Sequence, residues 1–303
     1  MKRLWTLLKP NLPPVAILLE PPMASAMRVE KQGRAVNPTA TYVGSVTLGA
    51  EGDLSPEAVA LFADAALPRL GSPKRASLVL WDGFFRSQIL EVSDFPRREA
   101  ERLQVLRWHV RKGLEFPVEL ARIQYNVLRR TDSAFSIWVS VAKADDVSAL
   151  EAIFRARGCQ IGHVGSSTVE LFNLALARDM FSDNGATLLL NRGGACLTFL
   201  FAEHGLPLFY RSKALDSELT PEEAQDRLGQ ELRLTLAYFR ERFGGAPLRR
   251  VLVRCQPEDA FLPLSEVLTD EEVMPVDRLL ASGQPGSTRP SEFLPLFNLV
   301  EGA

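Results

Sequence analysis

The chain has 303 residues, 46% apolar and 24% charged, with a formal net charge of -2; that is length for two domains at ~100–200 residues each, in an ordinary globular composition. The balanced charge argues against a nucleic-acid binder, which needs a concentrated positive face. Three dispersed cysteines, Cys159, Cys196 and Cys255, exclude a CxxC zinc or disulfide framework and point to reducing, cytoplasmic conditions.

Taken in order, residues 1–14 read as an arm with Leu4, Trp5, Leu7 and Leu8 able to pack, and Lys9-Pro10 interrupt it before a signal-peptide core is complete. No stretch reaches the ~18 apolar residues of a membrane span. Val15 to Leu19 is a buried-strand run stopped at Glu20-Pro21-Pro22, and a strand meander follows from Met27 to Leu48. Ser55-Pro56 opens a helix to about Leu67, with Ser55 as N-cap and proline in the first turn. Ser77 to Trp81 reads as a strand, and Asp82-Gly83 as a hairpin-type turn into Phe84 to Val92. Ala100, Leu103, Leu106 and Val110 recur at helical spacing between Pro96 and Gly113, and the helix they mark is basic through Arg97, Arg98, Arg102, Arg107, Arg111 and Lys112.

Ile123 to Leu128 and Phe135 to Val141 form an antiparallel ribbon, Asp145-Asp146 cap a helix closed by Gly158, and Ile161 to Val164 is a strand. Ser166 to Arg178 is a helix of small and apolar residues. Residues 187–211 then make three apolar runs separated by Gly193-Gly194 and His204-Gly205, which is the spacing of two successive hairpins. Thr220-Pro221-Glu222-Glu223 is a capping box for a helix to Phe243, with a break expected near Gly229. Val251 to Val253 is a strand, Phe261 to Val267 a helix, and the end is proline-rich and partly irregular. No internal repeat stands out. His109, His163 and His204 do not fall beside acids or a serine nucleophile, and Gly165-Ser166-Ser167 lacks the G-x-S-x-G spacing of a nucleophile elbow.

The segment Phe95 to Leu128, FPRREAERLQVLRWHVRKGLEFPVELARIQYNVL, resembles the PilM-like type IV pilus assembly proteins, actin-fold relatives of the cell-division protein FtsA. Leu106-Arg107-Trp108, Leu114-Glu115-Phe116-Pro117 and Gln124-Tyr125-Asn126-Val127-Leu128 carry the likeness, and the order of elements follows the family over about residues 15–270. A related secretion-system protein of the GspL type carries a transmembrane helix, which this sequence does not show. The resemblance implies an α+β, two-lobed α/β architecture of the FtsA/PilM type, the actin-like ATPase fold. It places an arm at 1–14, a first lobe at 15–185 with a small subdomain inserted at about 84–157, and a second lobe at 186–303.

Family proteins of this fold hold nucleotide through three small-residue turns, and each departs from the pattern here. In the first, Glu20 stands for an aspartate, Pro22 for a glycine and Met27 for a lysine; proline removes an N–H and fixes φ, so the turn cannot wrap a phosphate in the same way. In the second, Asn191-Arg192-Gly193-Gly194 replaces the carboxylate by an amide, a weaker ligand for a hard divalent cation. Arg192 is placed to contact a phosphate or to fill the vacated pocket as an ion-pair partner. In the third, Arg254-Cys255-Gln256-Pro257 contains no glycine.

The resemblance therefore implies a non-enzymatic cytoplasmic scaffold, with no metal site, no catalytic residues and nucleotide binding weak or lost. It would be peripheral to the inner membrane and grip the N-terminal peptide of a PilN-like bitopic protein near Leu106, Trp108, Phe116, Tyr125 and Val127. Other pilus platform proteins are further partners, and homo-oligomers stay open. Two alternatives stand beside it: an actin-fold ATPase using ATP with Mg²⁺, and a sugar-kinase-like enzyme.

Overall fold

The computed structural model describes residues 12–32, 35–49, 52–193, 195–215, 221–244, 247–256, 276–279 and 291–301, with Leu264, Glu266 and Leu268. The arm residues Leu4, Trp5, Leu7 and Leu8, the cap residue Thr220, Gly194 and most of the helix expected at 261–267 lie outside the described residues.

Two five-stranded sheets repeat one topology. In the first, β1 (Val15–Glu20), β2 (Met23–Gln32) and β3 (Ala35–Ser45) form an antiparallel meander, and β4 (Arg75–Leu80) and β8 (Gln160–Ser166) add in parallel on the β1 side, giving the order β3-β2-β1-β4-β8. In the second, β9 (Ala186–Gly193), β10 (Cys196–Glu203) and β11 (Leu206–Ala214) make the meander, and β12 (Leu248–Gln256) and β13 (Val276–Arg278) add in parallel, giving β11-β10-β9-β12-β13. The two sheets share strand order although no repeat stands out in the sequence.

Parity is what builds the core. On β1, Val15, Ile17 and Leu19 turn outward to pack under α1 (Pro56–Arg69) and α3 (Ala144–Arg155), while Ala16 and Leu18 turn toward the second sheet. On β9 and β12, Leu188, Leu190, Val251 and Val253 pack under α5 (Pro221–Phe243), and Leu189 and Leu252 turn toward the first sheet. The result is an outer core on each sheet and a shared core between the sheets. Ser55 caps α1 as the sequence suggests, its hydroxyl accepting from Ala58 N at 3.3 Å.

A third sheet, in the order β5-β7-β6, combines β5 (Arg86–Val92), β7 (Phe135–Lys143) and β6 (Ala121–Arg130), covered on one face by α2 (Glu99–Val110). Its other face meets the second sheet: Trp138 on β7 stands edge-on to Tyr210 on β11, ring centroids 4.9 Å apart.

Several expectations shift. Asp82-Gly83 is not a hairpin turn, because β4 pairs with β1 and β8 while β5 pairs with β7; a 3-10 turn at Asp82–Phe84 sends the chain from one sheet to another. α3, expected within the insertion, buries Leu150 and Phe154 against the first sheet, so the small sheet with α2 covers 86–143. α5 runs without a break at Gly229, and α3 starts at Ala144 with Asp145 and Asp146 in its first turn rather than as caps. Among the described residues the end includes an ordered helix. α6 (Leu294–Glu301) buries Leu294, Leu296, Phe297 and Leu299 in the shared core with α4 (Ser167–Ala177) and β1, so it belongs with the first sheet although it follows the second in sequence.

Candidate functional site

Glu20, Asn191 and Arg254 are each the next inward-facing position after the shared-core residues of their strand: after Leu18 on β1, Leu189 on β9 and Leu252 on β12. All three lie near the carboxyl ends of strands that have parallel neighbours, where open α/β sheets place their binding crevices. Asn191 and Arg254 face each other directly across the β9–β12 pairing. Parity thus delivers three polar side chains to one buried point between the sheets.

They are joined there. The Arg254 guanidinium, 1% exposed, forks onto the Glu20 carboxylate, Nη1 to Oε1 at 2.9 Å and Nη2 to Oε2 at 2.7 Å. Its Nη1 also donates to Asn191 Oδ1 at 3.0 Å and its Nε to the Ser291 carbonyl at 3.1 Å. On its other side the Asn191 amide donates toward Asp82 Oδ2 at 3.1 Å, Ser167 Oγ at 3.0 Å and Thr168 Oγ1 at 2.9 Å. Asp82 in turn accepts Thr168 N at 3.1 Å, in the first turn of α4, along with the Ser167 and Thr168 hydroxyls. Burial pushes the Asp82 carboxyl up, against the hydrogen bonds from Thr168 that favour its charged form.

Two electrostatic features that a nucleotide site would offer to its ligand are therefore filled from within. The place beside Glu20 that suits a cation holds Arg254. The N-terminal turn of α4, whose exposed N–H groups favour an anion, is spent on Asp82. Asn191 is an amide for a reason visible in the geometry: it must accept from Arg254 and donate to Asp82 at once, and an aspartate there would set two carboxylates side by side. Gly193 is constrained by the same group, since a Cβ at that position would collide with the Glu20 carboxylate.

The residues marked from sequence separate into members and bystanders. Glu20 and Asn191 belong to the network, and Gly193 makes room for it. Arg192 is not the ion-pair partner; it points the other way, lines a cleft, and its Nε is buried without a hydrogen-bond partner among the described residues. Met27 is in the shared core opposite Ala16, while Met23 stands opposite Glu20 and accepts from Gln256 Nε2. Cys255 packs on the outer face under α5, and Pro22 lies on the cleft wall with Pro21. Sequence reading missed Arg254 and Asp82. The available signal was a charge inside the apolar run Val251 to Cys255 on the parity of Leu252, matched by a second charge ending the apolar run of β1.

The cleft has a volume of about 1530 Å³ and opens between the Pro21-Pro22 turn with the end of β3 on one side and β10, β11 and α5 on the other. Arg86, Arg192, Lys213, Arg227 and Arg233 line it, together with Glu223, Asp226 and Glu231. Glu231 is engaged by Arg211 at 2.6 Å and Arg227 at 3.5 Å. Elsewhere His163 pairs with Glu170 at 3.2 Å, His109 stacks edge-on against Trp108, and His204 occupies the turn between β10 and β11 at φ 49.

Of the residues marked for partner contact, Leu106, Phe116, Tyr125 and Val127 pack between α2 and the small sheet. Tyr125 also donates to Glu99 at 2.7 Å. Trp108 does not join them; it is 59% exposed on the outer side of α2.

No protein-family model matches the chain, and no curated protein matches its sequence. Solved structures do. A chain of a PilM-PilN type IV pilus biogenesis complex superposes over 97% of this chain and 98% of its own, with a TM-score of 0.78 at 16% identity. A Bacteroides thetaiotaomicron protein described as having an actin-like ATPase fold and unknown function covers 87% of this chain and 89% of its own, with a TM-score of 0.56 at 13% identity. The chain has the actin-like fold, in the two-lobed α+β form with an inserted small sheet. No helix among the described residues is long and apolar enough to cross a membrane.

Proposed function

We propose that this chain is a PilM-like, non-enzymatic scaffold of a type IV pilus assembly platform. In this reading it lies in the cytoplasm beneath the inner membrane and binds the N-terminal cytoplasmic peptide of a PilN-like bitopic protein. The observation that carries the non-enzymatic part is the Glu20–Arg254–Asn191 network, which spends on internal partners the groups an ATPase of this fold would turn toward Mg²⁺ and phosphate. The likeness over almost the whole chain to a PilM-PilN complex supports the choice of machine and partner. β6 ends its sheet, which suits a peptide added as a further strand, with α2 and the packed Leu106, Phe116, Tyr125 and Val127 holding that sheet in shape. We divide the chain into a first lobe of 15–185 that includes the insertion and takes back α6, and a second lobe that begins at Ala186.

The second reading, an actin-fold ATPase, is favoured by one observation: the cleft beside the network keeps Arg192 and Lys213 on its wall. A thermal melt with and without millimolar Mg-ATP separates the two. A ligand at a hundred times its Kd stabilises the folded state by about 2.7 kcal/mol, so binding would be plain. The scaffold reading expects no shift with Mg-ATP and saturable calorimetric binding of the synthetic PilN-like peptide. A clear shift with ATP moves the ATPase reading forward, and absence of peptide binding removes the scaffold role.

A further inference from the structure

We propose that the C-terminal end of α2 docks on an anionic lipid surface, a contact made by this chain itself and independent of any peptide partner. Trp108 projects outward while Leu106 and Val110, two residues to either side, are buried in the small sheet's core. Arg107, Arg111 and Lys112 surround it, all exposed, and the Arg111 guanidinium sits 5.6 Å over its ring. Among the described residues none of these three cations has an ion pair, whereas the acids of the helix lie in its first turn, at Glu99 and Glu101. Arg102, which shares the helix, is held internally by the Pro96 carbonyl at 2.6 Å and does not add to the patch.

The chemistry of the patch selects the partner. Cations in the last turn offset the helix dipole, which accounts for some of them but gives no reason for a large ring left in water. A tryptophan with one face toward apolar groups and one polar N–H suits the boundary between headgroups and acyl chains. Flanking arginines and a lysine suit the phosphates of anionic lipids there. The chain as a whole carries a net charge of -2, so an anionic surface does not attract the molecule uniformly, and a local basic face such as this one would orient it.

Flotation of the full chain with vesicles tests this, using phosphatidylcholine alone and phosphatidylcholine mixed with phosphatidylglycerol, at low and high salt. The proposal expects flotation with the anionic vesicles only, release by salt, a reduction in Trp108→Ala, and a loss of tenfold or more in the double variant Arg107→Glu/Arg111→Glu. Because both arginines are exposed and unpaired among the described residues, that variant is expected to stay folded, with only a small fall in melting temperature from the lost dipole complement, and to keep any binding of the PilN-like peptide, so failure here and failure of the scaffold reading are separate results. Equal flotation with neutral vesicles, none with anionic vesicles, or none of the expected loss in the double variant overturns the proposal. If the wild type binds a poly-glutamate peptide instead and the double variant does not, the patch is an acidic-peptide site.

Discussion

Arg254 illustrates how one side chain decides what a pocket can hold. Buried ions are tolerated when paired, and an isolated one is far more costly than the pair. Arg254→Met strands the Glu20 carboxylate in the core and is expected to cost about 3–5 kcal/mol, read as a lower urea midpoint with an unchanged slope. Glu20→Leu/Arg254→Met removes both charges and is expected to recover most of that loss. A single variant costing under ~1 kcal/mol, the usual worth of an exposed pair, would mean that the ion pair does not hold the site. The carboxyl of Asp82 adds a pH signature. Its folded value is raised by burial, so the stability it contributes is full below its unfolded value and declines as pH rises toward the folded one. Relative to Asp82→Asn, the wild type is expected to lose stability on going from acid toward neutral pH, and parallel pH profiles would contradict this.

At the scale of elements, hydrophobic runs located β1, β4, β9, β10 and β12 within a few residues, because each is buried on both faces and reads as a continuous apolar stretch. What the runs could not say was which strands pair. Asp82-Gly83 looks like a hairpin turn locally, and only the competing parallel partners of β4 deny it. The site was half legible for the same reason. Glu20 and Asn191 sit near strand ends beside turns, where their types invite attention, but Arg254 acquires meaning only beside β9, a pairing between strands about sixty residues apart. The small sheet offers an element-scale test. Trp138 crosses from β7 to Tyr210, and Trp138→Ala is expected to cost about 3–5 kcal/mol and to raise hydrogen exchange in β7 and β11 together. Exchange that rises in β7 alone would mean that the contact does not join the sheets.

Across the whole molecule, the shared core draws on both large sheets and on α6, which returns from the far end of the chain to pack against α4. A single core of that kind couples the lobes. Calorimetry of the ligand-free chain is expected to give one transition with equal calorimetric and van't Hoff enthalpies. Two resolved transitions would show that the lobes melt separately.

The glycine at 193 carries a consequence for how such a pocket changes over generations. It is tied to Glu20 by the space the carboxylate occupies, Glu20 to Arg254 by charge, and Arg254 to Asn191 by a hydrogen bond. Placing an aspartate at 191 first would set it against Asp82, and removing Arg254 first would orphan Glu20. Each single substitution that would open a charged pocket here passes through a less stable intermediate, so the four positions are epistatic and only a concerted set of substitutions can change them without that cost.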